Sequence, residues 1–283
     1  MPRSNVQLGG QELKLDADTD TSITVDTDDQ IDIKIAGSDK LVISSTSHLV
    51  TTTAGTNNFV LGLNAGNSIQ SGGVQNVAIG DEAGTAITTG DNNVCIGYQA
   101  GDAISTGDNN IAIGKNALGA EDAHDFNIAI GSNALAAQDA GADAYNIAIG
   151  HNAGTTVSTG VANTLIGGLA GDALDVGGEN VAIGTAALTS DTKGSHSTAV
   201  GRGALQVQDF TSATDTNNTA VGYYAGAAVT SGQNNTCIGA NSGDALTTGY
   251  LNTFVGSNSG SATDDGQSNT AVGAYALDAG NCG

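Results

Sequence analysis

The chain has no tryptophan, one proline, three cysteines and only seven lysines and arginines in 283 residues. Each scarcity removes a class of protein. Seven basic residues against 29 acidic ones give a formal charge of −22, which disfavours nucleic acid and anionic membrane surfaces as partners. Three cysteines without a CxxC pair make no disulfide scaffold and no cysteine metal site. No apolar run approaches the length of a membrane span, so none is expected. The opening MPRSNVQLGG lacks the apolar stretch of a signal peptide, so export by an ordinary N-terminal signal is not expected. Aromatics make up 4% of the chain, too few for a conventional round core.

Glycine is abundant instead, at 42 residues, and with one proline it cannot belong to a collagen-like repeat. It marks a different period. Thirteen times the chain writes Asn, a β-former, a small residue, an aliphatic and Gly. Clear copies are Asn76–Gly80, Asn93–Gly97, Asn110–Gly114, Asn180–Gly184 and Asn235–Gly239. Nine of the twelve gaps between the closing glycines are 17 residues, and the others are 18, 19 and 21. So strict a period means a repeat array.

Counted from the closing glycine, the slots have distinct tasks. The residue before it is aliphatic in every copy, and the residue three before it is Val, Ile, Phe or Thr. Alternation puts both on one face of a short strand, expected to be the buried face, with the small residue between them on the other. Four before the glycine stands Asn, except at Ser197, in position for a stacked amide ladder. Ten after it a second Gly recurs, replaced by His124 and Thr211, so two corners per period are expected. Four after it stands Gly or Leu. Where it is Gly, an aliphatic such as Ile87, Ile104 or Leu174 follows three residues later, with Thr263 the exception. Where it is Leu (Leu118, Leu135, Leu188, Leu205, Leu277), that later slot is Glu121, Gln138, Asp191, Gln208 or Gly280. One large aliphatic per period therefore reaches one core position by two routes.

Residues 1–50 lack the repeat and read as a separate β-rich attachment segment, with the repeat domain spanning 51–283. Glu12 to Asp18 alternates. Ile31, Ile33 and Ile35 alternate with Asp32 and Lys34 ahead of a turn at Gly37–Asp39, a hairpin pattern with one buried face. Asp16, Asp18 and Asp20 imitate the start of a calcium loop, but Thr21 and Thr27 stand where an EF-hand needs Gly and Glu.

A 17-residue period is too short for helix pairs and fits one turn of an all-β solenoid whose coils stack by parallel hydrogen bonds. The core per coil is thin, and side-by-side association of chains would supply the missing burial. The pattern Asn-x-Ala-(Ile/Val)-Gly-x-x-Ala-(Gly/Leu) resembles the head repeats of trimeric autotransporter adhesins. The 17-residue form, as in Asn217 to Gly243, is more similar to repeats in bacteriophage tail fibres and related virion proteins. Leu13 to Ile43 is similar to the openings of marine-phage tail-fibre or appendage proteins. This resemblance implies a left-handed parallel β-roll of thirteen coils wound as a homotrimer. It further implies a structural and adhesive role in a virion, docking to other tail proteins through residues 1–50, and contact with a host surface glycan or protein. The alternative it implies is a bacterial surface adhesin. No signal peptide, heptad stalk or membrane-anchor barrel is present in the sequence, which favours the virion reading.

No enzyme is expected. The four histidines, His48, His124, His151 and His196, show no ligand spacing, and Asp191 with His196 at a repeat corner has no pocket. Cys95 and Cys237 occupy the small-residue slot and read as buried thiols, whereas Cys282 stands apart. The candidate receptor-contact loops are the insertions, Gln206 to Asn217 with Asp209 and Phe210, and Gln138 to Tyr145, together with Phe126 beside His124. Asp81, Asp91, Asp102 and Asp108 are candidate Ca²⁺ ligands where coils stack. A Thr column (Thr198, Thr219, Thr236, Thr253, Thr270) could face an ordered solid such as ice, but it is expected to share the buried face of the core aliphatics.

Overall fold

A computed structural model of the chain describes residues 13–14, 22–25, 31–35, 38–43, 49–50, 54–262 and 264–278. Among them the regular elements are all strands, and no helix is long and apolar enough to cross a membrane. Expectations that fall on residues 16–20, His48, Thr263, Gly280 and Cys282 lie outside the described residues.

The array is a parallel β-solenoid. Thirteen three-residue strands, from Phe59–Leu61 to Thr270–Val272, lie side by side in chain order in one sheet. Each strand ends at the residue before the repeat glycine, so every period closes one coil. The register is strict: Ala78 pairs with Val60 on one side and Cys95 on the other. Backbone bonds enforce it, Val77 N donating to Asn93 O and Gly80 N to Leu61 O, both at 2.8 Å. At the usual strand spacing thirteen coils rise about 60 Å.

The strand faces are exchanged relative to the expectation from alternation. The small middle residue points inward: Ala78, Cys95, Ala112, Ala129 and Ala148 are fully buried. The flanking aliphatics, such as Val77 and Ile79, are half-exposed on the outside. The reason is space. In most coils the large side chain from the later slots fills the interior, and beneath the strand there is room for little more than a methyl, Leu165 and Phe254 being buried large exceptions. Alanine fits there, and isoleucine goes outside. The outward slots also hold the Thr column, so those threonines do not share the core face.

The two-route filling of the core is seen directly. Ile87, Ile104, Val157, Leu174, Val229 and Leu246 are buried, and so are Leu118, Leu135, Leu188 and Leu205. A Cβ placed on Gly84 would lie 2.7 Å from Ile87 Cδ1, and one on Gly101 would lie 2.9 Å from Ile104 Cδ1. The later aliphatic therefore occupies the volume that a leucine four after the glycine would fill. Coil 12 uses a third route: Phe254, in the small-residue slot, lies against Gly260, where a Cβ would sit 2.5 Å from its ring.

Corners are more numerous than the glycine columns imply. The first column turns with φ between +122° and +144°. The second column is there for close approach: a Cβ on Gly90 would stand 2.5 Å from Gly107 O. In the first coil, which is one residue longer, Gly73 rather than Gly72 supplies the corner carbonyl. Non-glycine residues also take the left-handed region, at two and at five positions from the glycine, as Asn116 and Asn109 do. The leucines of the second route do so too, Leu118 at +52° and Leu205 at +49°. That region costs an L-residue about 1 kcal/mol or more, which the buried isobutyl group offsets.

The first fifty residues contain a separate antiparallel meander. Its strands are β1 (Leu13–Lys14), β2 (Ser22–Val25), β3 (Ile31–Ile35), β4 (Ser38–Ile43) and β5 (Leu49–Val50), paired in that order. The expected hairpin is β3–β4, but Ser38 and Asp39, expected in its turn, belong to β4, where Ser38 pairs with Ile35, and there is a register shift between Ile33 and Lys34. Ile33 is in register with Ile23 and with Leu41. The expected burial of Ile31, Ile33 and Ile35 lies outside the described residues.

Candidate functional site

Asparagine is the spine of the array. Asn93 N donates to Asn76 Oδ1 at 2.9 Å, and Asn110 N to Asn93 Oδ1 at 2.9 Å. The same side chains donate from Nδ2 to a corner carbonyl of their own turn: Asn76 to Gly90 O, Asn93 to Gly107 O, Asn110 to His124 O. Asn180 and Asn235 do likewise with Gly194 O and Gly249 O. Each amide is buried and uses donor and acceptor at once, which is how a buried polar group is kept stable. The repeat residues Gly80, Gly97, Gly114, Gly184 and Gly239 close the strands these amides enter.

The acidic residues do not form one cation-binding column. Asp91 and Asp108 share a slot, but their Oδ1 atoms accept backbone amides from the preceding coil, those of Val74 and Asp91, each at 2.7 Å. Asp125 continues this by accepting Asp108 N at 2.6 Å. These carboxylates cap amides. Asp81 and Asp102 stand on two other slots, and burial raises the Asp102 carboxyl above its ordinary range.

Two polar modules interrupt the apolar core, and each places an acid and, one coil later, a glutamine in the same core slot. In the second, Asp191 is fully buried. Its Oδ1 accepts Gly194 N at 2.8 Å and its Oδ2 accepts Gln208 Nε2 at 2.5 Å. Gln208 Oε1 accepts Asn218 Nδ2 at 2.8 Å, and Gln208 Nε2 also reaches Ser197 Oγ. Ser197, the one gap in the Asn ladder, is thereby tied in. In the first module Glu121 and Gln138 hold the same slots, both buried. Gln138 Oε1 accepts Asn146 Nδ2 at 2.5 Å, as its counterpart does. Glu121 Oε1 accepts His124 N at 3.0 Å and lies 2.7 Å from His124 Nδ1. Glu121 Oε2 and Gln138 Nε2 have no partner. Burial raises the carboxyls of both Glu121 and Asp191 above the ordinary range, against hydrogen bonds that lower them.

Asp139 completes a cluster with Glu121 and His124. One ligand atom from each lies within 4.8 Å of the others, and His124 Nδ1 is 3.9 Å from Asp139 Oδ1. Sequence reading missed this set because its members are spaced by the coil rather than by a linear motif. The signal was present in two departures from the repeat three residues apart: an acid in the core slot and a histidine in the glycine column.

The candidate contact loops divide. Phe126 and Tyr145 occupy equivalent slots in successive turns and stack, with centroids 5.2 Å apart and planes 5° from parallel. They are 42% and 56% exposed, so an open aromatic platform exists there. Phe210 is 6% exposed, which corrects the expectation of an exposed ring in the longest insertion. That insertion is pinned back onto the coil: Thr214–Asp215 pairs in parallel with Gly194–Ser195. Asp209 remains exposed and accepts Thr192 Oγ1 at 2.8 Å.

Asp191 and His196 are not brought into a catalytic pair. Asp191 faces Gln208, and His196 faces Glu179 and Asp215, one from each ring nitrogen at 3.3 Å. Cys95 and Cys237 are buried, and burial pushes both thiols up to about 12, so neither is poised as a nucleophile. No family model matches the chain, and no curated protein and no solved structure matches it either.

Proposed function

We propose that the chain is a structural and adhesive element of a virion, a tail fibre or spike, built as a homotrimer of left-handed β-rolls. The observation that carries this reading is the outer face of the thirteen-stranded sheet. Its slots hold only Val, Ile, Leu, Phe and Thr, with no charge in any of the strands, although the whole chain carries −22. Ile149, Ile183 and Ile238 on this face are each more than a third exposed. So long an uncharged ladder is costly to leave in water. Another copy of the chain matches it best, because only a copy repeats at the same spacing along the full length. The thin interior of each coil adds to the case for association.

In this reading residues 1–50, with their antiparallel meander, dock to other tail proteins. The platform at Phe126 and Tyr145, with Asp125 and Asp143 close by in the chain, suits stacking on a sugar ring of a host surface glycan. A bacterial surface adhesin is the alternative setting for the same assembly. The test is the solution mass of the full chain by light scattering during size exclusion, with Ile130→Asp and Ile147→Asp combined as a comparison. Three chains per particle, lost in the double variant, is the expected result. A folded monomer overturns the trimer. It would also leave the outward Thr column open, and then binding to an ordered solid becomes the reading to test.

A further inference from the structure

We propose that Glu121, His124 and Asp139 form a binding site for one divalent transition-metal ion, of the zinc class, at the junction of the fourth and fifth coils. A tetrahedral ion with bonds of about 2.1 Å spaces its ligand atoms about 3.4 Å apart. The cluster brackets that value, with separations from 2.7 Å to within 4.8 Å. One imidazole nitrogen with two carboxylate oxygens is a donor set for zinc and its neighbours, while calcium takes six to eight oxygens.

The independent observation is Glu121 Oε2. It is fully buried, carries no hydrogen bond, and belongs to the carboxylate whose other oxygen faces the imidazole. An oxygen of that kind costs about 1–3 kcal/mol when left unmet. The Asp139 carboxylate approaches the same imidazole nitrogen as the Glu121 carboxylate, at 3.9 Å against 2.7 Å, so two acids converge on one atom. A cation held by Glu121, His124 and Asp139 offsets the repulsion between the two carboxylates. Asp139 is exposed, so it closes the site on the solvent side and leaves a way in.

The molecule contains its own controls. The second module has an acid, Asp191, in the slot of Glu121, a glutamine, Gln208, in the slot of Gln138, and an aspartate, Asp209, in the slot of Asp139. There the column residue is Gly194, and the acid is fully met by protein donors. His196 also lies between two carboxylates, but they face opposite ring nitrogens, so one ion cannot join all three.

The test is equilibrium dialysis of the full chain against Zn²⁺ in a calcium excess, which occupies the acidic surface, with visible absorption on Co²⁺ titration as a second readout. The variants are His124→Gly, which restores the usual column residue and keeps the coil, Asp139→Asn, and His196→Ala. The expected result is one Zn²⁺ per chain and a tetrahedral Co²⁺ spectrum. Affinity should fall at least about tenfold in His124→Gly, since even loss of a supporting contact costs that much. Asp139→Asn should weaken it, and His196→Ala should leave it unchanged. Equal uptake by the parent and His124→Gly, no uptake by either, or loss in His196→Ala overturns the site. The mass measurement above is independent of this one, so each can fail alone.

Discussion

The two polar modules are the same device built to different completeness. Both occur where a coil takes the leucine route, which moves the large aliphatic away from the later core slot and opens it to a polar residue. In both, the glutamine lies in the coil that carries an insertion, with gaps of 19 and 21 residues. In both, its Oε1 holds the ladder asparagine on the far side of that insertion. The glutamine thus splints the Asn ladder across a longer loop. The difference lies with the acid. Asp191 is short and meets Gln208 and the Gly194 amide together. Glu121, one methylene longer, turns to the His124 side and leaves one oxygen and one amide nitrogen unmet. In the contrast, one polar core meets the donors of its glutamine, and the one that does not has an imidazole beside its acid.

The largest test of the comparison removes the acids one at a time. Asp191→Ala leaves Gln208 Nε2 with only Ser197 Oγ and the buried amide of Gly194 without its acceptor, and should cost about 1–3 kcal/mol for each bond lost. Glu121→Ala strands less, since Oε2 bonds to nothing, and should cost about 1 kcal/mol. Urea midpoints of the full chain with a chelator present would read both; equal losses would mean the modules are equally satisfied. Next in size is a change of route in a regular coil. Gly101→Leu places a side chain on Ile104 and on Cys95 Sγ, where even a Cβ would be 2.6 Å away. Overpacking of that kind costs about 1–3 kcal/mol. Adding Ile104→Ala should recover most of the loss. If the second change deepens it instead, the two routes do not share one volume.

Much of the solenoid was legible because its constraints are periodic. The coil length, the strand position, the Asn ladder and the swap of Gly with Leu each recur at one offset, so the sequence states them many times. The strand faces were misread for a physical reason: alternation says which residues share a face but not which face is inside. That depends on the width of the coil, and width is set by Leu118 or Ile87, residues outside the strand. Phe210 was misread because its insertion is paired back onto the coil through Thr214–Asp215 and Gly194–Ser195, which no local pattern announces. The metal cluster was hidden because Asp139 reaches Glu121 and His124 only by stacking one coil on the next.

The smallest effect concerns pH, and it bears on both modules. Glu121 and Asp191 have carboxyls raised by burial. A raised acid binds its proton more tightly folded than unfolded. Between the ordinary carboxylate range and the raised value, the folded chain therefore holds more protons, and stability falls as pH rises through that window. Acidification from about pH 7 to about pH 5 should raise the urea midpoint, and the relief of self-repulsion in a chain of charge −22 adds in the same direction. Asp191→Asn removes one titrating group while keeping an oxygen for Gly194 N, so it should flatten the slope without matching the loss in Asp191→Ala. Glu121→Gln should flatten it less, because the hydrogen bonds from His124 favour the ionised acid. A slope unchanged in both variants would place the pH dependence in the surface charge and leave the buried acids without a part in it.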